Sequence, residues 1–539
     1  MMKRYKNFII GLLAVCCMAS CLDENPKDQI EEDKIYNTAQ NLYINAVATL
    51  YNYIGSDEEC EGLQGTCRGI YDYNTFTTDE AIIPIRGGDW YDGGLWDNMY
   101  SHNWNANDIS LYNTWRYLYR VVALTNKSLH VIDSHSFLLT KAQRASYEAE
   151  VRGIRALFYY YIMDMFGRVP LIVTADATLD DCVQSERSEV FHFVFNELQA
   201  INTLLPEGHS NQPGDTYGRI TRSVAYFLLA KLAINAEIYC DDDWTDGSRR
   251  TGKDISFEVD GKKINAWETC IHFCDKLAAE GYALEGDYTY NFSVHNENSS
   301  ENIFTIPMDK NLYAAQFHYL FRSRHYNHGM AVGTLSENGT CATISTILAN
   351  GYGTDKPDAR LSLNFFTGKV MVDGSVVMLD NGQPLEYMPL AVERNLTNSP
   401  YIKTAGARMS KYEIDRTAYM DGKLQDNDIV LYRYADVLLM KAEAKARNGE
   451  DGGTELNAVR GRVGMDSRPA TLDNILAERL LELVWEGWRR QDLIRFGLFT
   501  SKYDLREPLE GESSGYTTVF PIPQKSIDLN KRLEQNPGY

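Results

Sequence analysis

The sequence predicts a mainly α fold, built from tetratricopeptide-like helical pairs and joined to a loop-rich irregular portion that carries short β-hairpins. Three observations predict it. Apolar residues recur at three- and four-residue spacings over 112–132, 144–165, 189–205, 223–239, 266–279, 430–447 and 474–495, the pattern of helices with one buried face. In the first half, successive pairs of these segments are offset by something near 34 residues, the period of tetratricopeptide units, although that repeat's consensus is poorly matched. Three stretches, 68–108, 240–265 and 290–425, lack the helical period and are rich in Gly, Asn, Asp and aromatic residues. Stacked helical hairpins bury one another's apolar faces, and loops this long inside a compact domain usually carry function.

The first element in chain order is a leader. Lys3, Arg4 and Lys6 precede an apolar run from Phe8 to Ala19, and Ala19 and Ser20 lead into Cys21. The run is too short for a membrane span, which needs about 20 residues in a helix, so residues 1–20 read as a secretory signal that is removed. A cysteine directly after Met-Ala-Ser reads as a lipobox, in which Cys21 takes a diacylglycerol and becomes the new N-terminus. Acyl chains of that kind hold a protein on a membrane without a spanning helix. Asp23, Glu24, Asp28, Glu31, Glu32 and Asp33 make 21–38 an acidic tether with too little apolar surface to fold alone. Residues 39–539 follow as a single domain, with a helical half over 39–240 and a loop-rich and C-terminal half over 241–539. No Pro/Ser/Gly linker divides it.

Within the domain, 144–165 is the clearest helix. Val151, Ile154, Phe158, Tyr161 and Met165 share a face, Gly167 terminates it and Pro170 follows. Inside 290–425, the alternation over Lys369–Leu379 reads as the strands of a hairpin. Residues 313–328, with Tyr313, Phe317, His318, Tyr319, Phe321, Arg322, Arg324, Tyr326 and His328, alternate as a half-buried strand would.

Charge and cysteine content narrow the function. The net charge is −21, and −24 once the three cations of the leader are gone. Such a surface repels phosphate backbones, and no basic stripe reverses it, which argues against nucleic acid as a partner. Beyond Cys21 the thiols are Cys60, Cys67, Cys182, Cys240, Cys270, Cys274 and Cys341, an odd number that rules out a complete disulfide framework. Cys60 and Cys67 bracket a short Gly-containing loop, where a bridge and two free thiols are both open readings.

Several segments are more specific than composition. They are YEAEVRGIRALFYYYIMDMFGRVPLIV at 147–173, LYRYADVLLMKAEAKA at 431–446, AERLLELVWEGWRRQDLIRFG at 477–497, and the FPIP and QNPGY ending within 520–539. In these motifs and their order the chain resembles the SusD/RagB family, surface lipoproteins that capture nutrients for a TonB-dependent outer-membrane transporter. The resemblance implies a SusD-like fold, no catalytic activity, a place on the outer membrane, and a SusC-like TonB-dependent transporter as partner. The motif charges themselves, Arg433, Asp436, Arg489, Asp492 and Arg495, lie on or beside helices, where ion pairs and packing are the ordinary role.

Residues 79–104 have the composition of a glycan site. Sugars present hydroxyls at their edges and weakly polar C–H faces, so a site for them wants flat aromatic platforms beside amide, carboxylate or guanidinium groups. Asp79, Arg86, Asp89, Trp90, Tyr91, Trp96, Asn98, Tyr100 and Trp104 supply these within one Gly-punctuated stretch. Tyr319 and Arg322 from 313–328 complete the candidate set. The resemblance adds that the corresponding loop region commonly contributes ligand contacts and varies with the glycan. An oligosaccharide is therefore the expected ligand, with a peptide-capturing member of the family as the alternative and a surface glycoside hydrolase, which would need two carboxylates in one cleft, as the remoter one.

Signals of chemistry are weak. Gly511, Ser513 and Gly515 spell the G-x-S-x-G of a nucleophile elbow, but that pattern needs a strand before it and a helix after it, and Pro508 and 516–523 offer neither. Cys270 and Cys274 share a helix face while His272 points away, as core residues do. Asp241, Asp242, Asp243 and Asp246 resemble a calcium loop only crudely, with glycine out of register and no closing glutamate. No cofactor is called for.

Overall fold

The computed structural model describes residues 35–539; the leader, Cys21 and the tether up to residue 34 lie outside the described residues. After a short helix α1 (Ala39–Ala46), helices α2 (Ile70–Phe76) and α3 (Leu95–Ser101) belong to the first irregular stretch. The helical stack then begins with α4 (Ile109–Ser134) and α5 (Lys141–Phe166). It continues with α6 (Arg187–Ile201), α7 (Arg222–Ile234) and α8 (Ala266–Ala279), each packed on the one before.

Local chemistry sets these limits. Asp108 caps α4 by accepting from Ser110 N at 2.8 Å, and Thr140 with Gln143 forms a capping box on α5. Gly167 ends α5 at φ +69°, where an added Cβ would sit 2.8 Å from Cη2 of Trp244, so the helix stops at a residue that both the turn and the neighbour require. From Val151 on, α5 has almost no exposed side, because α4 and α6 cover it from two directions.

The next layer comes from far along the chain. Helix α8 packs against α9 (Tyr434–Asn448), and α9 against α10 (Gly453–Arg462) and α11 (Leu472–Leu483). Residues 280–433 are therefore an excursion between two neighbours of the stack. Its ends are joined by an antiparallel pair, β1 (Asn302–Ile306) and β2 (Ile429–Arg433), with Ile429 opposite Ile306 and Arg433 opposite Asn302. This corrects the expected helix over 430–447: its first residues are a strand, because their hydrogen-bond partners lie in β1. The expected 474–495 helix is likewise two, α11 and α12 (Arg489–Arg495), parted where Trp485 and Gly487 turn left-handed at φ 69° and 73°. Residues 313–328 contain part of two short helices, His318–Ser323 and Tyr326–Ala331, rather than a strand. The hairpin over 369–379 is present as Met371–Val372 paired with Ser375–Val376 around Asp373 and Gly374, both at positive φ.

Buried ion pairs fix the excursion to the stack. Arg433 reaches Glu301 and Glu486 at 2.7 Å and Glu482 at 2.6 Å, and Lys411 reaches Glu486 at 2.5 Å. Asp436 sits between Lys231 of α7 at 2.5 Å and Arg479 of α11 at 2.8 Å. Arg495 pairs with Glu443 and Asp492 at 2.7 and 2.8 Å. The motif charges thus serve the scaffold. Cys270 and Cys274 are buried between α8 and α9, and Cys60 and Cys67 are buried, free thiols whose backbones are joined by Cys60 N donating to Cys67 O at 2.9 Å.

Candidate ligand-binding surface

Residues 85–94 form a tight loop laid along the 393–405 segment. Ile85 N donates to Arg394 O at 3.0 Å and Leu396 N to Ile85 O at 2.8 Å. Arg86 and Asp89 then close a turn on themselves, with Arg86 N to Asp89 O at 2.9 Å. Gly87, Trp90, Asp92, Gly93 and Gly94 all have positive φ, so the backbone coils too tightly for any regular element. A bulky residue such as Trp90 in that region costs local energy that its surroundings must offset. Its indole Nε1 donates to Glu337 O at 3.1 Å, and its ring lies on Gly339, where a Cβ would come within 2.6 Å of it.

Above this base stands a group of exposed and half-exposed side chains. Asp89 accepts from Tyr326 Oη at 2.9 Å and lies 3.5 Å from Lys403 Nζ, which in turn stands 5.2 Å over the Tyr326 ring. Burial, and then the hydrogen bond to Asp89, push the Tyr326 phenol up to about 12, so it is a neutral donor at physiological pH. Tyr91 is 57% exposed, and Trp90 half-buried. Tyr401 is exposed on the neighbouring loop, two residues from Lys403. Beside Trp96 in α3, Asp97 holds Arg394 through two bonds of 2.7 Å. The arrangement offers aromatic faces next to a carboxylate, an ammonium and a phenol.

Other members of the candidate set hold this surface up from below. Arg86 is 2% exposed and donates to Ile402 O and Ala405 O at 2.8 and 2.9 Å, tying the two loops together. Arg322 grips Asp72 with bonds of 2.9 and 2.7 Å and lies between the rings of Phe76 and Trp96, 5.5 and 5.3 Å from their centres. Trp96 is 1% exposed and donates to Asp92 at 2.7 Å. Tyr319 is stacked on Tyr71 in the core at 4.2 Å. Asp79 is bound by Arg489 of α12 through two bonds of 2.7 Å. Trp104 donates to Tyr539 Oη at 2.7 Å, and with the half-buried Asn98 it borders a separate hollow of about 510 Å³. Of the predicted set, only Asp89, Trp90 and Tyr91 reach solvent together. Tyr401 and Lys403 were not predicted, because nothing in the local sequence distinguishes 399–405 from any exposed turn; the tertiary pairing with 85–86 brings them in.

The G-x-S-x-G segment is a 3-10 turn, Glu512–Ser514, between left-handed glycines and followed by a second 3-10 turn at Tyr516–Thr518. It lacks the strand–turn–helix that exposes a nucleophile. The acidic side chains at 242, 243 and 246 are occupied by N–H and O–H groups of Ser188, Thr245 and Ser248.

Two family models match the chain, one described as SusD family over residues 358–539 and one as starch-binding associating with outer membrane over 70–234. The chain is 31% identical over 572 residues to SusD-like protein P38 of Formosa agariphila, with 100% of both covered. It is 24% identical over 521 residues to the starch-binding protein SusD of Bacteroides thetaiotaomicron, covering 90% of this chain and 87% of that one. Among solved structures, surface glycan-binding protein A of Bacteroides thetaiotaomicron in complex with laminarihexaose has a TM-score of 0.69 at 21% identity, over 93% of this chain and 99% of that one. A SusD-like carbohydrate-binding protein of Bacteroides fragilis gives 0.71 at 17%, over 93% and 100%. The structural neighbours have the same fold, the sequence relatives span the same length, and the chain belongs to the SusD/RagB family.

Proposed function

We propose that this protein captures glycan at the cell surface and passes it, unmodified, to a SusC-like TonB-dependent transporter of the outer membrane. The observation that carries the reading is the surface of Asp89, Trp90, Tyr91, Tyr326 and Lys403: ring faces for sugar C–H groups, with polar groups of both charges for hydroxyls, on a base that buried arginines hold rigid. Relatives described as binding starch and laminarihexaose support the ligand class. Two of the carboxylates near this surface, Asp79 and Asp97, are spent on arginines, which leaves Asp89 without a second free carboxylate from the predicted set beside it. Attachment through acylated Cys21 completes the reading; no helix among the described residues is long and apolar enough to cross a membrane.

A glycan array probed with the soluble chain from Asp23 onward, with peptide pools in parallel, tests the ligand class. The expected result is a defined glycan class, with affinity about tenfold weaker in Trp90→Ala, the scale of one lost aromatic contact. Binding to peptides and to no glycan would replace glycan by peptide as the cargo. Unchanged affinity in both Trp90→Ala and Tyr91→Ala would move the site elsewhere.

A further inference from the structure

A second hollow has the composition of a saccharide site and shares no residue with the Asp89 surface. A cleft of about 640 Å³ opens between the 3-10 turn Ala48–Tyr53, the loop before α7 and the chain leaving β1. Its walls approach through glycine: a Cβ on Gly55 would lie 2.7 Å from Ile306, and one on Gly218, at φ +71°, 2.5 Å from Pro307. Four tyrosines line it, and three of them have their hydroxyls tied back into the protein, Tyr43 by donating to Glu150 at 3.2 Å. Tyr51 Oη donates to Glu150 at 2.8 Å and accepts from Ile220 N at 3.1 Å. Tyr217 Oη lies 2.8 Å from both oxygens of Asp428, a carboxylate that also accepts from Met308 N at 2.8 Å. Glu150 is fully buried and held by Arg219 at 3.0 and 2.5 Å.

With those hydroxyls engaged, what Tyr43, Tyr51 and Tyr217 can offer a solute is ring surface in a fixed orientation, and Tyr313, 43% exposed, adds a fourth ring. Three of the polar groups around them are uncommitted. The side chains of Asn52, Asp57 and Asp215 make no hydrogen bond or ion pair with another described residue. Rings held in place beside a free amide and free carboxylates match the C–H faces and hydroxyls of a sugar. A polyanion is disfavoured by Asp57 and Asp215, since the one guanidinium in the wall, Arg219, is already paired with Glu150.

From this we infer that the chain carries a second saccharide-binding site, in the Tyr51–Tyr217–Tyr313 cleft, independent of the Asp89 surface. The inference rests on the glycan-capture reading. A long glycan that engages both sites on one chain is retained more tightly than either site alone holds a short one.

Native mass spectrometry of the soluble chain with laminarihexaose, maltohexaose and any hexasaccharide returned by the array counts the sites, and affinity gels containing laminarin or starch measure retention of polymer. Wild type is expected to take two hexasaccharides, and Tyr313→Ala, Asn52→Trp and Trp90→Ala one each, with polymer retention at least about tenfold weaker in every variant. Tyr313 and Asn52 are exposed, and a thermal melt equal to wild type confirms that the two cleft variants fold. One hexasaccharide per wild-type chain, lost only in Trp90→Ala, overturns the second site and leaves the capture reading standing. Two hexasaccharides retained by both cleft variants overturn it as well. A wild-type chain that takes no glycan at all overturns both.

Discussion

The helical stack and the loop-rich half are held together by different means. Between α4 and α8 the interior is made mostly of aliphatic and aromatic side chains whose backbones satisfy their own hydrogen bonds, with a few buried charges such as Glu150 and Lys231 among them. In the loop-rich half and the C-terminal helices, buried arginine is added to such side chains. Of the twelve largest fully buried side chains among the described residues ten are arginines, and none of the ten falls between 109 and 279. Seven of the ten pair with carboxylates; for Arg86 and Arg408 the reason is local. Irregular backbone leaves carbonyls without partners, and a buried carbonyl needs a donor. One guanidinium supplies several donors in a planar fork, as Arg86 does for Ile402 and Ala405, and Arg408 for Thr340 O and Asn338 Oδ1. Burial pulls the Arg86 guanidinium down to about 9, yet it stays a cation at neutral pH.

The difference can be broken most forcefully at Arg433. Arg433→Met takes from the buried Glu301, Glu482 and Glu486 the one cation that all three share, and the expected loss is about 3–5 kcal/mol in urea unfolding. Phe158→Ala in α5 should cost about as much through the cavity it leaves. The two diverge in rescue: adding Glu482→Gln and Glu486→Gln should recover part of the Arg433→Met loss, whereas no charge change rescues Phe158→Ala.

Arg86→Met comes next, at about 2–4 kcal/mol, because two carbonyls are left buried and unpaired. It should also weaken glycan binding, although Arg86 is too deep to touch a ligand, since the turn at 86–94 loses its tie to 402–405.

The pH dependence sharpens the comparison further. Burial raises Glu80 to about 8 and Asp428 to about 7. Folding therefore favours their protonated forms, and the stability they contribute is full below about pH 4 and is lost as pH rises through 7 to 8. Burial raises Asp436 and Glu443 too, but Lys231 and Arg479 for the one, and Arg495 for the other, outweigh it and leave both at about 2. Their stability is present above about pH 4.5 and is lost as pH falls toward 2. Urea midpoints should peak on the acid side of neutrality. Glu80→Gln, which can still accept from Trp485 N, should flatten the decline between about pH 4.5 and 8, and an unchanged slope would remove Glu80 as its source.

The smallest effect on stability belongs to Tyr91→Ala, within about 0.5 kcal/mol because the ring is largely in solvent. A melt equal to wild type with weaker glycan binding is the expected pair of results.

Helices were the most legible part of the sequence. The 266–279 helix has the limits its periodicity gave, and 144–165 differs from α5 by a turn at its start. Two of the failures have one cause. Residues 430–433 form a strand because β1 lies opposite, and the 474–495 pattern is broken at Trp485, whose backbone N donates to Glu80 across the molecule at 2.9 Å. In each case a distant partner overrode a local period. The candidate site was legible as a stretch and not as a surface: Asp89, Trp90 and Tyr91 face outward, while Arg86, Trp96, Tyr319 and Arg322 lie beneath.

The sequence by itself determined which segments coil into helices, where capping residues and glycines stop them, and that an aromatic, Gly-punctuated stretch stands apart from the helical core. Only the tertiary structure decided which rings of that stretch meet solvent. Trp96 is 1% exposed and Tyr91, five positions earlier, 57%. A helix repeats, so spacing alone tells its buried face from its open one. A loop of left-handed turns has no such repeat, and side chains such as Arg86 and Trp90 take their direction from partners hundreds of residues away.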